Sequence, residues 1–213
     1  MNQLRTYSLY FLILVYVSGG IGFLIKPDFF APFTPLTLLL TCFVFLINQS
    51  HLNLNYLIVF LSIAIIGFLI EVLGVKTGIV FGNYSYGEAL GYKILEVPLT
   101  ISINWALLIS SSLVMSAKFF EKKWQRVFAA AAFVTLLDVL IERIAPELDF
   151  WNFKNGDAGI QNYVAWFMIS SLIGFTFYKT LMKGHKNTAL IIIILQFFFF
   201  GLLFLFTNFN FQN

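Results

Sequence analysis

The chain has 213 residues, of which 60% are hydrophobic and only 11% are charged. Soluble globular domains carry about 25% charged residues, so this composition excludes a soluble domain. The net charge of +3 is small and the basic residues fall at the ends of apolar segments, so no patch for binding nucleic acid is expected.

Apolar segments long enough to cross a membrane follow one another along the chain. A membrane-spanning helix needs roughly 20 mostly apolar residues, within a range of about 17–25. Hydropathy along the sequence indicates candidates at residues 7–25, 33–47, 54–73, 97–117, 127–145, 160–181 and 188–207. We therefore predict an all-α fold, a polytopic membrane helical bundle of about seven transmembrane helices, which forms a single integral membrane domain over residues 1–213.

The first two segments are the least regular. Arg5 precedes the first apolar run, as in a signal peptide, but the run is too long for one and no small-residue cleavage site follows it. We interpret it as a retained helix. The second run is short and is flanked by Pro32 and Pro35. It contains Cys42, which is the only cysteine and has no partner for an intramolecular disulfide.

The distribution of basic residues predicts the orientation in the membrane. Loops on the side of the N-terminus hold Arg5, Lys118, Lys122, Lys123, Arg126, Lys179, Lys183 and Lys186. Loops on the other side hold Lys26, Lys76, Lys93 and Lys154. Since cytoplasmic loops carry the excess of Lys and Arg, we expect a cytoplasmic N-terminus and an exterior C-terminus.

The third segment carries an acid and leads into an unusual loop. An ionisable group in hydrocarbon costs on the order of 3 kcal/mol, so Glu71 is a functional candidate. Residues 74–87 are rich in glycine and aromatic side chains, which is not typical of a short turn. They form either a re-entrant or amphipathic loop packed on the bundle mouth, or a lid over a site with Asn83, Tyr84 and Tyr86 as polar groups.

The fourth and fifth segments carry further polar residues. The fourth begins with Val97 and Pro98, where a proline suits a first helical turn, and continues with Asn104 and Trp105. The fifth ends with Asp138 and Glu142, which lie four residues apart and so share one face of a helix. These acids form either a buried polar cluster that fixes packing or part of a functional site. The second alternative is favoured, because paired acids in a membrane are expensive to keep for packing alone.

The same order of features then occurs again. Residues 150–163 are aromatic and rich in Gly and Asn, with Trp151 in the loop, and the sixth segment opens with Asn162 and Trp166. Three features thus appear twice in the same order: an acid at a helix end, a loop rich in glycine and aromatic residues, and a helix that opens with Asn and Trp. This pattern predicts a weak internal repeat of two helix pairs, of the kind that places sites at repeat interfaces. The topology brings both sets of polar residues to one membrane face.

Several other kinds of site are not expected. His51 and His185 lie in loops on the side opposite the acids, so a histidine-based metal centre beside the acids is not predicted. No P-loop or dinucleotide fingerprint is present. The seventh segment, 188–207, has no lysine for a retinal Schiff base. Its run of phenylalanines at 197–200 is interpreted as a lipid-facing helix, or alternatively as a wall beside a long polyene.

Three groups of residues in the middle half of the chain carry a family resemblance. They are Glu71-x-x-Gly74-Val75-x-Thr77-Gly78-x-x-Phe81-Gly82-x-Tyr84-x-Tyr86, then Gly91…Val97-Pro98…Trp105, then Asp138…Glu142…Trp151…Gly156…Asn162-Tyr163-x-x-Trp166. On these residues the chain resembles the membrane-integral carotenoid hydratase family, which includes the bisanhydrobacterioruberin hydratases and the bacterial carotenoid 1,2-hydratases. The chain departs from the family pattern at Arg143, where the family has a proline. It departs again at 159–161, where the family has a Val-Pro pair before the position of Asn162 and this chain has Gly-Ile-Gln.

The resemblance implies a cofactor-independent and metal-free addition of water to a terminal double bond of an acyclic carotenoid, with a lycopene-like or γ-carotene-like end group. It implies the lipid bilayer, the carotenoid substrate and other enzymes of the same pathway as partners. It also implies a bacterial or archaeal cytoplasmic membrane as the location.

The chemistry of hydration assigns roles to the candidate residues. Protonating the alkene needs a positioned acid, and the resulting carbocation needs an aromatic or carboxylate wall and controlled access of water. We expect Asp138 or Glu142 to donate the proton, with Glu71 orienting water or balancing charge. Asn104 and Asn162 would hold water or the acids. The expected substrate-binding residues are Asn83, Tyr84, Tyr86, Asn104, Trp105, Trp151, Asn162 and Trp166.

Three alternatives remain at this level. A carotenoid cyclase protonates the same end group but lets an internal double bond quench the cation. A small carrier or channel would use the three acids as a proton or cation relay, although a relay would distribute them across the bilayer. A non-catalytic scaffold for a pigment pathway would tolerate the loss of all three acids.

Overall fold

The helices account for most of the structure, a computed structural model that describes residues 2–210. In chain order the helices are α1 Asn2–Ile25, α2 Pro27–Phe30, α3 Thr34–Ile47, α4 Leu54–Thr77, α5 Leu99–Ser116, α6 Lys123–Glu142, α7 Ile160–Leu181 and α8 Lys186–Asn210. A single 3₁₀ turn, Ala31–Phe33, joins α2 to α3.

Seven helical segments within the described part of the chain are long and apolar enough to cross a membrane. The predicted number is therefore confirmed, and the chain is an integral multi-pass membrane protein. The second segment is longer than predicted, because α2, the 3₁₀ turn and α3 follow one another from Pro27 to Ile47. Pro32 and Pro35 lie in the first turns of the 3₁₀ segment and of α3, where a missing N–H costs no helical hydrogen bond.

Helix α5 is the centre of the bundle and packs against α3, α4, α6, α7 and α8. Every residue from Trp105 to Ser116 is buried, including Ser110, Ser111 and Ser112. Small side chains let neighbouring helices approach closely in a membrane protein. The central position of α5 was not predicted, because its apolar composition resembles that of its neighbours.

Helix α8 packs against α1, α5 and α6. Phe199 and Phe200 are buried, whereas Ile194 and Phe198 are exposed. The interpretation of α8 as a lipid-facing helix is therefore wrong for one side of the helix. The run of apolar residues surrounds the whole helix, so its sequence carries no periodic signal that would mark the buried side.

Two loops meet at the end of the bundle where α4 and α6 end. Strand β1, Tyr84–Tyr86, pairs antiparallel with β4, Trp151–Phe153. A second ladder of β2, Lys93–Ile94, with β3, Val97–Pro98, leads the chain into α5. The first ladder joins the corresponding loops of the two predicted helix pairs, α4–α5 and α6–α7.

Candidate functional site

A cavity lies between α4, α5, α6 and α7 and beneath the β1–β4 ladder. The space is about 480 Å³, part of it open to solvent. We call it the acid cavity, and it is lined by Glu71, Phe81, Tyr84, Tyr86, Ile101, Asn104, Leu108, Val134, Asp138, Ile141, Glu142, Trp151, Phe153, Asn162 and Trp166. Residues from four helices and two loops therefore meet at one cavity.

The end of α4 determines how the first loop returns to the cavity. The helix stops at Gly78, whose φ of 67° is the left-handed conformation that glycine adopts readily at helix ends. The loop then packs back on α4 at Gly74. A Cβ added there would lie 2.7 Å from the Phe81 ring and 3.0 Å from the Tyr84 hydroxyl. Gly74 therefore makes room for two residues of the cavity wall.

Glu71 accepts hydrogen bonds from three side chains. The hydroxyls of Tyr84 and Tyr86 donate to Oε2 at 2.5 and 2.8 Å, and the indole N–H of Trp105 donates to Oε1 at 2.8 Å. The carboxyl group is almost completely buried. Both of its oxygens are engaged by donors, so the position of the carboxyl group is fixed.

The two tyrosines remain donors over a wide range of pH. Burial, followed by the charge of Glu71, raises the pKa of Tyr84 and of Tyr86 above the ordinary value of 10.0. Neutral hydroxyls can donate to the carboxylate, whereas ionised ones would repel it. The first loop thus supplies two stable hydrogen-bond donors to Glu71.

The second pair of acids shares one amide group. Nδ2 of Asn162 donates to Oδ2 of Asp138 at 2.7 Å and to Oε1 of Glu142 at 3.2 Å. The indole N–H of Trp151 donates to the other Glu142 oxygen at 3.1 Å. Among the described residues no side chain bonds to Oδ1 of Asp138, which leaves that oxygen available to a guest in the cavity.

Among residues 2–210, no basic side chain lines the acid cavity. Two nearby lysines are paired outside it, Lys76 with Glu96 at 2.9 Å and Lys93 with Glu88 at 2.7 Å. Three carboxyl groups therefore share a partly enclosed space, with no cationic side chain from the described residues beside them. Such a site favours bound protons and positively charged guests, because uncompensated carboxylates are costly to bury.

Aromatic rings form much of the cavity wall. Trp166 stacks on Trp105 with ring centroids 3.8 Å apart and planes within 6° of parallel. The Phe81 ring lies 5.9 Å from Trp166, and the Tyr86 ring lies 6.1 Å from Trp151. Aromatic faces attract cations and also accept flat apolar chains. The cavity can thus hold an apolar molecule that becomes positively charged.

Most of the residues predicted for the site come together in this cavity. Those that line it are Glu71, Tyr84, Tyr86, Asn104, Asp138, Glu142, Trp151, Asn162 and Trp166. Trp105 lies behind the wall, where it supports Trp166 and Glu71. Asn83 does not line the cavity; its side chain packs beside Gly78 and its carbonyl accepts the N–H of Lys154. A role for Asn83 in binding substrate stays a prediction.

Six lining residues were not among the predicted site residues. They are Phe81, Ile101, Leu108, Val134, Ile141 and Phe153. Four are aliphatic residues of α5 and α6 that resemble lipid-facing ones in sequence. Their spacing of three or four positions from Asn104 or Asp138 is the signal that places them on the same helix faces.

A comparison with protein families gives a match over most of the chain. The family model described as carotenoid biosynthesis protein matches residues 33–212. No curated protein and no solved structure matches the chain significantly. The family match covers most of the chain, including every residue that lines the acid cavity, and the chain belongs to the carotenoid biosynthesis protein family.

Proposed function

We propose that the protein adds water across a terminal C=C bond of an acyclic carotenoid. The observation that carries the proposal is the acid cavity, in which three carboxyl groups and a wall of aromatic rings meet with no basic residue from the described part of the chain. Membership of the family supports a role in carotenoid biosynthesis. Hydration by acid catalysis suits this set of side chains, since it needs a positioned acid and a wall that stabilises a cation.

The reaction proceeds in two steps. A carboxylic acid transfers its proton to the less substituted carbon of the terminal double bond, which leaves a tertiary carbocation and a carboxylate. Water then attacks the cation, and the proton that it releases returns to the carboxylate. One C–H and one C–O bond form, the π bond is lost, and the acid is regenerated, so one water is consumed.

Asp138 is the proton donor in this proposal. Its Oδ1 has no hydrogen-bond partner among the residues that the structure describes, while its Oδ2 is held by Asn162 at 2.7 Å. A proton on Oδ1 therefore points to a guest and not to another side chain. Glu142 is held through the same amide of Asn162, so it helps to orient Asp138.

Glu71 and the aromatic wall stabilise the cation. With three donors fixing its carboxylate, Glu71 supplies negative charge without competing for the role of donor. The faces of Trp166 and Trp151 add cation–π attraction of about 0.5–2 kcal/mol. The cavity is thus more favourable to the carbocation than to the neutral alkene, as catalysis requires.

Asn104 is positioned to hold the attacking water. Its Oδ1 is buried and has no hydrogen-bond partner in the described part of the chain, although Asn104 lines the acid cavity. A buried acceptor of this kind is satisfied by water where the space is polar and large enough. We assign to Asn104 the orientation of the water that captures the cation.

Product analysis tests the proposal directly. The full chain is expressed in a bacterial host that accumulates lycopene, and the pigments are separated by chromatography and weighed by mass spectrometry. We expect products heavier than lycopene by one or two waters. A ring-bearing product of unchanged mass would identify a cyclase instead, and unchanged lycopene beside inserted protein would overturn the proposal.

We also propose that the acid cavity faces the exterior of a bacterial or archaeal cytoplasmic membrane. The loops at the opposite end of the bundle hold most of the basic residues, which is typical of the cytoplasmic side. Cys42 is buried and is the only cysteine, so a Cys42→Ser background allows site-directed labelling. Ser85→Cys should then react with an impermeant maleimide added to intact cells, and Lys122→Cys should not.

A further inference from the structure

A second enclosed space lies between α1, the α2–α3 segment and α8. We call it the α1–α8 pocket; it measures about 460 Å³, part of it open to the surroundings, and shares no residue with the acid cavity. It is lined by Val15, Tyr16, Gly19, Phe23, Phe30, Phe33, Thr34, Thr37, Leu38, Gln196, Phe199 and Phe200. Small-molecule sites typically have this character, with mostly apolar walls and a few polar groups.

Gln196 is the unusual member of this lining. Its side chain is only 2% exposed, and among the described residues Nε2 has no hydrogen-bond partner. A buried donor without a partner costs stability unless something in the pocket satisfies it. The hydroxyl of Thr34, on the facing segment, is also buried and unpaired.

The other polar atoms of the pocket are already engaged. The Tyr16 hydroxyl is bonded to Thr41 at 3.1 Å, and the Thr37 hydroxyl donates to the Phe33 carbonyl at 3.1 Å. Gln196 and Thr34 are therefore the groups left to recognise a guest. An amide both donates and accepts hydrogen bonds, and so does a hydroxyl. A single hydroxyl on the guest can satisfy the Gln196 amide in both directions.

The remaining walls select an extended apolar molecule. The rings of Phe23 and Tyr16 pack edge to face against the ring of Phe199, at centroid distances of 5.4 and 5.9 Å. Phe33 lines the pocket and is 47% exposed, so the pocket reaches the lipid-facing surface beside it. A membrane-dissolved chain can enter there without crossing water.

We propose that the α1–α8 pocket binds a long apolar chain that carries one hydroxyl group, with the hydroxyl held by the Gln196 amide. The bound molecule lies along the rings of Tyr16, Phe23 and Phe199 and extends towards the bilayer past Phe33. This site is separate from the chemistry of the acid cavity. The buried ring of Phe150 stands between the two, in contact with Phe200 on one side and Trp151 on the other.

Equilibrium binding to the purified full chain in detergent tests the proposal. Labelled phytanol is the probe, and phytane is the matched hydrocarbon without the hydroxyl. We expect saturable binding of phytanol, with phytane competing at least about tenfold more weakly, because only the alcohol satisfies Gln196. Hexadecanol serves as the straight-chain alcohol; equal binding assigns the site to apolar alcohols in general, and weaker binding assigns it to branched isoprenoid ones.

Two variants test separately the role of the Gln196 amide and the need for free space in the α1–α8 pocket. Gln196→Leu should weaken phytanol binding at least about tenfold while leaving phytane binding unchanged, and should not lower thermal stability, since it removes an unpaired donor. A leucine side chain can be accommodated at position 19, because a Cβ at Gly19 would lie 4.0 Å from its nearest atom, on the Phe199 ring. Gly19→Leu should therefore fill the pocket and abolish binding. Gly201→Leu is the matched control, with the same 4.0 Å clearance outside the pocket lining.

Several results would overturn the site. No saturable phytanol binding to the unsubstituted chain would mean that water alone satisfies Gln196. Equal affinity for phytanol and phytane would remove the role of the hydroxyl. Phytanol binding that survives Gly19→Leu, with the thermal unfolding of that variant unchanged, would place the ligand elsewhere.

Discussion

Tyr86 on β1 lies directly opposite Trp151 on β4, and the two side chains hold carboxyl groups that belong to different helix pairs. The Tyr86 hydroxyl donates to Glu71 at 2.8 Å, and the Trp151 indole N–H donates to Glu142 at 3.1 Å. The antiparallel ladder therefore links the positions of Glu71 and Glu142. We expect carboxyl groups held from one pair of strands to keep their spacing when an apolar guest enters the cavity.

The hydrogen bonds to Glu71 predict a large effect on stability. Glu71→Gln replaces one acceptor oxygen by an NH₂ group that faces donors, so at least one buried hydrogen bond is lost and a donor is left unpaired. We expect a loss of about 3 kcal/mol in the free energy of unfolding, measured by denaturation in detergent. Glu96→Gln is the control: Glu96 is exposed and pairs with Lys76, and its loss should cost less than about 1 kcal/mol. Equal effects would contradict the role of Glu71.

Alkaline pH should destabilise the fold through Tyr84 and Tyr86. Their pKa values are raised in the folded state, so the folded protein holds these protons more tightly than the unfolded chain, whose tyrosines ionise near 10.0. The stability that they contribute is fully present below about pH 10 and is lost as the pH rises from there towards the folded-state values. Thermal unfolding from about pH 8 to 12 measures this loss. Tyr86→Phe should make the decline shallower, and an unchanged slope would refute the assignment.

Gly67 predicts a packing effect on the aromatic wall. A Cβ at this position would lie 2.5 Å from Cγ of Trp105, so Gly67→Ala must displace the indole that bonds to Glu71 and stacks on Trp166. We expect a cost of about 1–3 kcal/mol and a changed tryptophan fluorescence spectrum. Gly201→Ala, whose Cβ would have 4.0 Å of clearance, should instead be neutral or stabilise the helix. Gly67→Ala with unchanged stability and fluorescence would show that the wall adapts.

The three acids of the site could be predicted from sequence because hydrocarbon makes charged groups costly. Glu71, Asp138 and Glu142 stand out in apolar segments, and the helix period puts the last two on one face. The pairing of β1 with β4 could not be predicted, because it joins residues far apart in the chain. That pairing directs Tyr84 and Tyr86 into the cavity.

The central position of α5 could not be predicted from the sequence either. Trp105 is completely buried behind Trp166 because α5 has neighbours on all sides, and its expected role in binding substrate stays a prediction. Hydropathy measures transfer from water to an apolar phase and does not distinguish lipid from protein as that phase. The same limit explains why one side of α8 was wrongly expected to face lipid.

The hydrogen bonds of Asn162 predict that both acids of α6 are essential. Asp138→Asn removes the proton donor, and Glu142→Gln alters the charge and the hydrogen bonds of the amide that they share. Each variant should lower the hydrated pigment at least about 100-fold in the lycopene host while the protein still inserts. Asp157→Asn, at an exposed position of the loop before α7, is the control and should keep full yield. Full activity of both α6 variants would remove the mechanism.

Asn104 predicts which product follows once the cation has formed. Asn104→Leu removes the buried Oδ1 that we assign to the attacking water, but it leaves all three acids in place. Protonation of the alkene should continue, and the cation should then lose a proton or close to a ring instead of capturing water. Hydrated pigment should fall at least about tenfold, with isomers or ring-bearing products of unchanged mass in its place.

The control for the Asn104 variant lies on α4, at the end of that helix away from Glu71. Asn55→Leu changes an exposed amide that contacts Thr180 at 3.4 Å, far along the helix from Glu71, and should not alter the products. If Asn104→Leu yields as much hydrated pigment as the unsubstituted chain, water is held by another group. If it yields neither hydrated nor isomerised pigment, Asn104 acts before the cation forms, and its assignment to water capture is wrong. A shift from hydrated to ring-bearing pigment would show that the acid cavity supports both outcomes and that Asn104 decides between them.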